Sequence, residues 1–183
     1  MSVLNGTVYP YSSYREHFCQ HGGPEAATWK WADLVAMLSA SRHTERGTLT
    51  LSTIGNAEGC ELLPGAAISL QVVKPASSTR PHTHSWWHLF IVQAGSGTMY
   101  LGRAQEPTSL NRGDLVLVPA WCLHAITNLS NTDDLILMSL TNLPQQAALD
   151  NLRAHEPEDV TTSAPLSEQM TSPMPTIGQR HGQ

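Results

Sequence analysis

The chain has 183 residues, a length that suits one domain with tails and can bury a full hydrophobic core. Its 10 Lys+Arg against 15 Asp+Glu leave a formal net charge of -5, and Lys30 and Lys74 are its only lysines. That balance argues against nucleic acid as a partner and against electrostatic attachment to a membrane. Charged residues make up only 14%, while histidines number 9, four of them (His82, His84, His88 and His124) in the middle of the chain.

At the N-terminus, Met1 to Pro10 has neither a basic segment nor an apolar core, so no signal peptide is expected. No run approaches the ~18 apolar residues of a transmembrane helix. Cys19, Cys60 and Cys122 are odd in number and form no CxxC pair, which disfavours a disulfide framework and fits a reducing, cytoplasmic location. Residues 1–27 read as a polar lead-in. From Thr28 to Ser41 the apolar residues Trp31, Leu34, Val35 and Leu38 recur at helical spacing, with Thr28 as a possible cap.

From Gly47 the period becomes that of strands: 48–54, 66–73, 88–93, 98–102, 114–119, 124–129 and 135–140, with Gly, Pro, Asn or Asp between nearly all of them. Short strands without intervening helices predict an all-β barrel or sandwich. After Leu143, Gln145 to Ala154 reads as one short helix, and Thr161 to Gln183, rich in Thr, Ser, Pro and Gln, as a disordered tail. The expected organisation is a lead-in and helix over 1–45, a barrel over 46–143, and a short helix and tail over 144–183.

The chemistry concentrates in 80–97 and 113–128. Side chains at i and i+2 share a strand face, so His82 and His84 are neighbours, and an unbroken strand adds Trp86 and His88. His124 opens a second strand that a barrel brings opposite. Neutral imidazoles converging on one point are ligands for divalent Fe, Ni, Mn, Zn or Cu. Trp86, Phe90 and Trp121 are candidates for a substrate pocket, as are the polar in-strand residues Gln71 and Gln93, and Arg80 at the barrel mouth. Ordinary core or surface roles are the competing readings for each of these six.

His82, His84, His88 and Gly95 follow the spacing of the first cupin motif, and Gly113, Pro119, His124 and Asn128 follow the second. The chain thus resembles the cupin superfamily, which implies a single double-stranded β-helix, or jelly-roll, barrel with a metal at its mouth. Where the motif carries a glutamate ligand, this chain has His88. A narrower resemblance, over 28–129, is to the N-terminal half of gentisate 1,2-dioxygenase and related ring-cleaving enzymes: the Trp29–Trp31 helix, the Glu45-Arg46 step, PHTHSWWHLFIVQAGSG and GDLVLVPAWCLHAITN all contribute. It implies His82, His84 and His124 as ligands of Fe(II). His88, where the family has a small residue, is an extra ligand or a nearby acid/base. The family's Arg-Phe pair appears here as Leu89-Phe90.

The implied activity is an Fe(II)-dependent dioxygenase that cleaves a small aromatic or enediol-type substrate with O2. The competing classes are a non-oxidative metal-dependent cupin enzyme (isomerase, lyase, cyclase or dehydratase) and a non-catalytic ligand-binding cupin. Those dioxygenases have about twice this length and two barrels, so a homodimer is expected to replace the second barrel.

Overall fold

The computed structural model describes residues 8, 10–20, 26–53, 61–102 and 106–156. The tail expected over 161–183 lies outside the described residues, as does Cys60. Two helices precede the strands. Helix α1, Tyr11–Gln20, lies within the segment read from sequence as a lead-in. Helix α2, Trp31–Ala40, occupies the predicted helical segment but starts at Trp31, after Lys30 rather than Thr28. Its buried residues, Leu34 and Leu38, stand four apart, so both project from one side onto the sheet below.

Seven described strands coincide with the predicted ones: β1 (Leu49–Leu51), β2 (Ala67–Val73), β4 (His88–Ala94), β5 (Ser96–Leu101), β7 (Leu115–Val118), β8 (His124–Thr127) and β9 (Leu135–Thr141). The strand expected through His82 and His84 is the short β3 (Thr83–His84), which stops before Trp86, while β6 (Thr108–Asn111) and β10 (Ala154–His155) were not read from the sequence. The third helix, α3, spans Leu143–Ala148 rather than 145–154, and the chain beyond it extends to pair with β3.

The strands form an antiparallel five-stranded sheet in the order β1-β2-β9-β4-β7 and a three-stranded sheet, β6-β5-β8. A short pair, β10-β3, completes the set. The result is a single cupin barrel. Between the sheets lies a core of Val73, Phe90, Val92, Met99, Leu110, Val118, Ile126, Leu135 and Leu137. A second cluster, Leu34, Leu38, Leu51, Leu70 and Val72, seals α2 against the outer face of β1 and β2.

The register explains why a site forms at one end only. Cross-strand partners on the inner face run in rows: Val73 with Leu135, then Gln71 with Leu137 and Val92, then Ser69 with Ser139 and Phe90, then Ala67 with Thr141 and His88. Val73, Leu135, Leu137 and Val92 fill the first rows, with Gln71 as their polar member, and small or polar side chains predominate in the last. The barrel is therefore packed solid at one end and open at the other, because alternation keeps one side chain in two pointing inward along each strand. The turn from β4 into β5 passes through Gly95 at φ +76°, where an added Cβ would run into the Asp134 backbone.

Candidate metal centre

His82 and His124 are brought together by the backbone. The His82 N–H donates to the His124 carbonyl at 3.1 Å and the His124 N–H to the His82 carbonyl at 3.0 Å. Their rings lie 4.2 Å apart by centroid. His84, two residues on and on the same face, completes a group whose ligand atoms all lie within 4.8 Å of one another. His84 and His124 are each 1% exposed.

Two of the tautomers follow from the neighbours. His84 Nδ1 faces the Trp86 carbonyl at 2.6 Å and His124 Nδ1 the Cys122 carbonyl at 2.9 Å. A carbonyl only accepts, so Nδ1 carries the proton and Nε2 keeps its lone pair. His82 Nδ1 lies between an acceptor, the Arg80 carbonyl at 3.1 Å, and a donor, Arg46 Nη1 at 2.8 Å, so its neighbours do not fix its tautomer as they fix the other two. His84 Nε2 is buried and has no hydrogen-bond partner. Such an orphan costs folding free energy unless something fills it. Burial also holds these imidazoles neutral: it pushes His82 down to about 3 and His124 to about 4, and lowers His84. Three converging neutral imidazoles, two of them with the proton on Nδ1 and a free lone pair on Nε2, fit a divalent transition metal.

His88 reaches the site by a different route. The chain leaves β3 after His84, bends through Ser85 and Trp86, and enters β4 at His88, so no continuous strand joins the histidines. Its ring centroid is 4.8 Å from that of His84, yet His88 is not part of the three-histidine group. Both its nitrogens are engaged. Nδ1 meets Ser139 Oγ at 2.6 Å, and Nε2 accepts the indole N–H of Trp86 at 3.0 Å. Burial, with the neighbouring histidines, pushes it down to about 2.

The group opens into a cavity of about 660 Å³. Trp86, Phe90 and Gln71 line it, as the sequence suggested. Trp86 lies flat on His84, with centroids 4.1 Å apart and planes 4° from parallel. Gln71 donates from Nε2 to the Glu45 carbonyl at 2.6 Å. Arg80, Gln93 and Trp121 do not line it, each for a structural reason. The Arg80 side chain is 68% exposed and ion-paired outside the barrel. Gln93 has the outward parity of Leu89 and Ile91, beside a register shift between Val92 and Ala94. Trp121 sits in a turn at φ 63°, exposed, and contributes only its backbone N–H, to the His84 carbonyl at 2.7 Å.

Four contributors were not among the site residues expected from the sequence. Arg46 stands on the cavity wall beside His82, its side chain 35% exposed. Glu156, just past β10, accepts from Arg46 at 2.6 Å and pairs with Arg80 at 2.8 Å. Glu45 pairs with Arg80 at 3.0 Å, which closes a ring of alternating charge around the mouth. Ser139 is the polar inward residue of β9, and the break it makes in LILMSL was its one sequence signal.

Sequence comparison agrees with this architecture. Residues 69–141 match the family described as Cupin domain. The chain is 30% identical over 96 residues to 1-hydroxy-2-naphthoate 1,2-dioxygenase of Nocardioides sp. (strain KP7), a match covering 52% of this chain and 24% of that protein. It is 26% identical over 110 residues to gentisate 1,2-dioxygenase of Streptomyces sp., covering 56% of this chain and 30% of that one. The crystal structure of a salicylate 1,2-dioxygenase from Pseudaminobacter salicylatoxidans superposes with a TM-score of 0.65 at 23% identity, over 82% of this chain and 49% of the other. The chain thus spans under a third of these curated relatives and about half of that solved chain. With a domain match over 69–141, a shared fold and three inward histidines in agreement, the chain carries a cupin domain in a single barrel that resembles part of a gentisate-type ring-cleaving dioxygenase.

Proposed function

We propose that the protein is an Fe(II)-dependent dioxygenase that opens a small aromatic or enediol-type substrate with O2. The observation that carries the metal site is the buried, unpartnered His84 Nε2 within a group of three neutral histidines at a cavity floor. The two curated relatives, both named as aromatic-ring dioxygenases, support the reaction class. His82, His84 and His124 would hold the ion. Bound Fe(II) supplies Lewis acidity toward adjacent substrate oxygens and one-electron chemistry with dioxygen.

The chain's own side chains define what enters. A volume of about 660 Å³ suits one small ring. Phe90, Ile126, Leu143 and Pro144 give it apolar walls that exclude water from the reacting face. Arg46 is the cation on the wall, and a guanidinium holds a carboxylate through paired N–H donors. A hydroxylated aromatic acid, with its carboxylate toward Arg46 and its hydroxyl toward the histidines, satisfies both ends of the site. Salicylate 1,2-dioxygenase has been crystallised with gentisate, a ligand of this type.

A homodimer is part of the same reading. Leu115 and Leu117 on the edge strand β7 are 64% and 60% exposed, an apolar edge of the kind that soluble proteins usually cover. Sedimentation of the purified protein tests this.

Metal analysis of the purified protein, followed by O2 uptake by its Fe(II)-loaded form with hydroxylated aromatic acids, tests the function. Stoichiometric O2 consumption with ring opening is expected. Turnover of a substrate under strict anaerobiosis would overturn the dioxygenase reading.

A further inference from the structure

His88 is the fourth imidazole of the cavity, and its ring is as near to His84 as the ligand histidines are to one another. The His84–His88 centroid distance is 4.8 Å, against 4.2, 5.0 and 5.4 Å within the group of three. Its ring lies 6.2 Å from that of His124, outside the spacing within the group, and its hydrogen bonds hold it there. A neutral imidazole has one lone pair in the ring plane. An indole N–H can only donate, so the 3.0 Å contact from Trp86 Nε1 identifies His88 Nε2 as the acceptor. The proton is then on Nδ1, which donates to Ser139 Oγ at 2.6 Å. The only lone pair that His88 has to offer is consumed by Trp86.

The same tryptophan is immobilised by one of the ligands. Its indole stacks on His84 at 4.1 Å with planes 4° from parallel, and the His84 Nδ1–H donates to its backbone carbonyl. His88 is held from its other side by Phe90, with ring centroids 4.9 Å apart. Ring, donor and acceptor are therefore all fixed.

We propose that Trp86 is a guard residue: its indole N–H occupies His88 Nε2 and keeps the metal at three protein ligands instead of four. This rests on the reading of His82, His84 and His124 as the metal site. Its consequence is chemical. A fourth imidazole would take a coordination position that a bidentate substrate or dioxygen needs. Trp86 is thus a positioning residue that preserves open coordination in a cavity with one histidine too many.

The test is ligand counting by electron paramagnetic resonance of the Cu(II)-loaded full-length protein, with metal affinity measured in parallel. Trp86→Phe keeps the stacked ring and removes the N–H. We expect its spectrum to move to lower g∥, as nitrogen replaces oxygen, and its metal affinity to rise. The double variant Trp86→Phe/His88→Ala should return to the wild-type spectrum. An ordinary supporting role for Trp86 predicts the opposite sign, a loss of affinity of about 10–100-fold. An unchanged or weakened site in Trp86→Phe overturns the proposal. His88→Ala tests the same point without touching Trp86, because it should leave the wild-type spectrum unaltered, and loss of a nitrogen signal there overturns the proposal. Failure of every form to bind metal would sink the metal-site reading itself, and the guard with it.

Discussion

His84 and Trp86 share one hydrogen bond and one stacked face: the imidazole Nδ1 lies 2.6 Å from the Trp86 carbonyl while the two rings lie 4.1 Å apart. An imidazole held at its edge and on its face keeps one orientation, with a buried Nε2 that has no hydrogen-bond partner. His84→Ala removes the atom that most needs a partner. It should lower transition-metal affinity by about a hundredfold or more, since even outer-sphere partners of a ligand typically cost 10–100-fold. Equilibrium dialysis against Fe(II) or Co(II) measures it, and wild-type affinity in this variant would refute the assignment.

Acid should destabilise the metal-free protein. Burial holds His88 at about 2, His82 at about 3 and His124 at about 4 in the folded state. In the unfolded chain the same groups return to about 6.5. Below that value the unfolded chain takes up protons that the native state refuses, so these groups favour unfolding progressively as pH falls from about 6.5 toward 4. Above about 7 they have no effect. The urea midpoint of the apoprotein should therefore drop steadily between pH 7 and pH 4.5, and less steeply in His88→Phe. A midpoint flat over that range would contradict the buried, neutral histidines.

At the mouth, Glu156 occupies the cation assigned to substrate. Arg46 Nη2 donates to it at 2.6 Å and Arg80 pairs with it at 2.8 Å. Glu156→Gln leaves Arg46 with Glu45 alone as a counter-charge, 3.6 Å away and shared with Arg80. Salicylate should bind the metal-loaded variant about two- to fivefold more tightly, the scale of one partly exposed ion pair. Arg46→Met should weaken it. Titration calorimetry reads both, and unchanged affinity in the two variants would remove Arg46 from the binding site.

Stability should follow the rows of the sheet. Leu137 is fully buried between the sheets, whereas Leu117 on β7 is 60% exposed. Leu137→Ala should cost about 2–5 kcal/mol, the range for leucine truncation in a packed core. Leu117→Ala should stay within about 0.5 kcal/mol in the monomer. Denaturant unfolding of the two variants at low concentration separates them, and equal losses would mean that Leu117 is covered.

Period-two alternation made the long strands readable, because a half-buried strand must place an apolar side chain inward at every second residue. Strand β10 escaped that reading, and β3 was placed only through the alternation of its histidines. Each is two residues long and stabilised by the other, far away in sequence, so neither carries a period of its own. Helix α3 was placed but extended too far, since the chain after Leu149 is extended against β3 by hydrogen bonds between Ser85 and Arg153. The histidines were legible through spacing, His82 and His84 on one face and His124 opening another strand. Arg46 was present in the Glu45-Arg46 step but carried no sign that it would face the cavity.

What the sequence determined by itself was the barrel and a cluster of inward imidazoles with His88 among them, because both follow from local spacing and a repeating strand pattern. What only the tertiary structure decided was the hydrogen-bond partner of each nitrogen. His88 looks like a ligand in the linear spacing. Its lone pair is already taken, because Ser139 reaches it from β9 and Trp86 from the bend between β3 and β4. A lone pair can be used once, and which donor uses it depends on side chains that meet only when the strands are assembled.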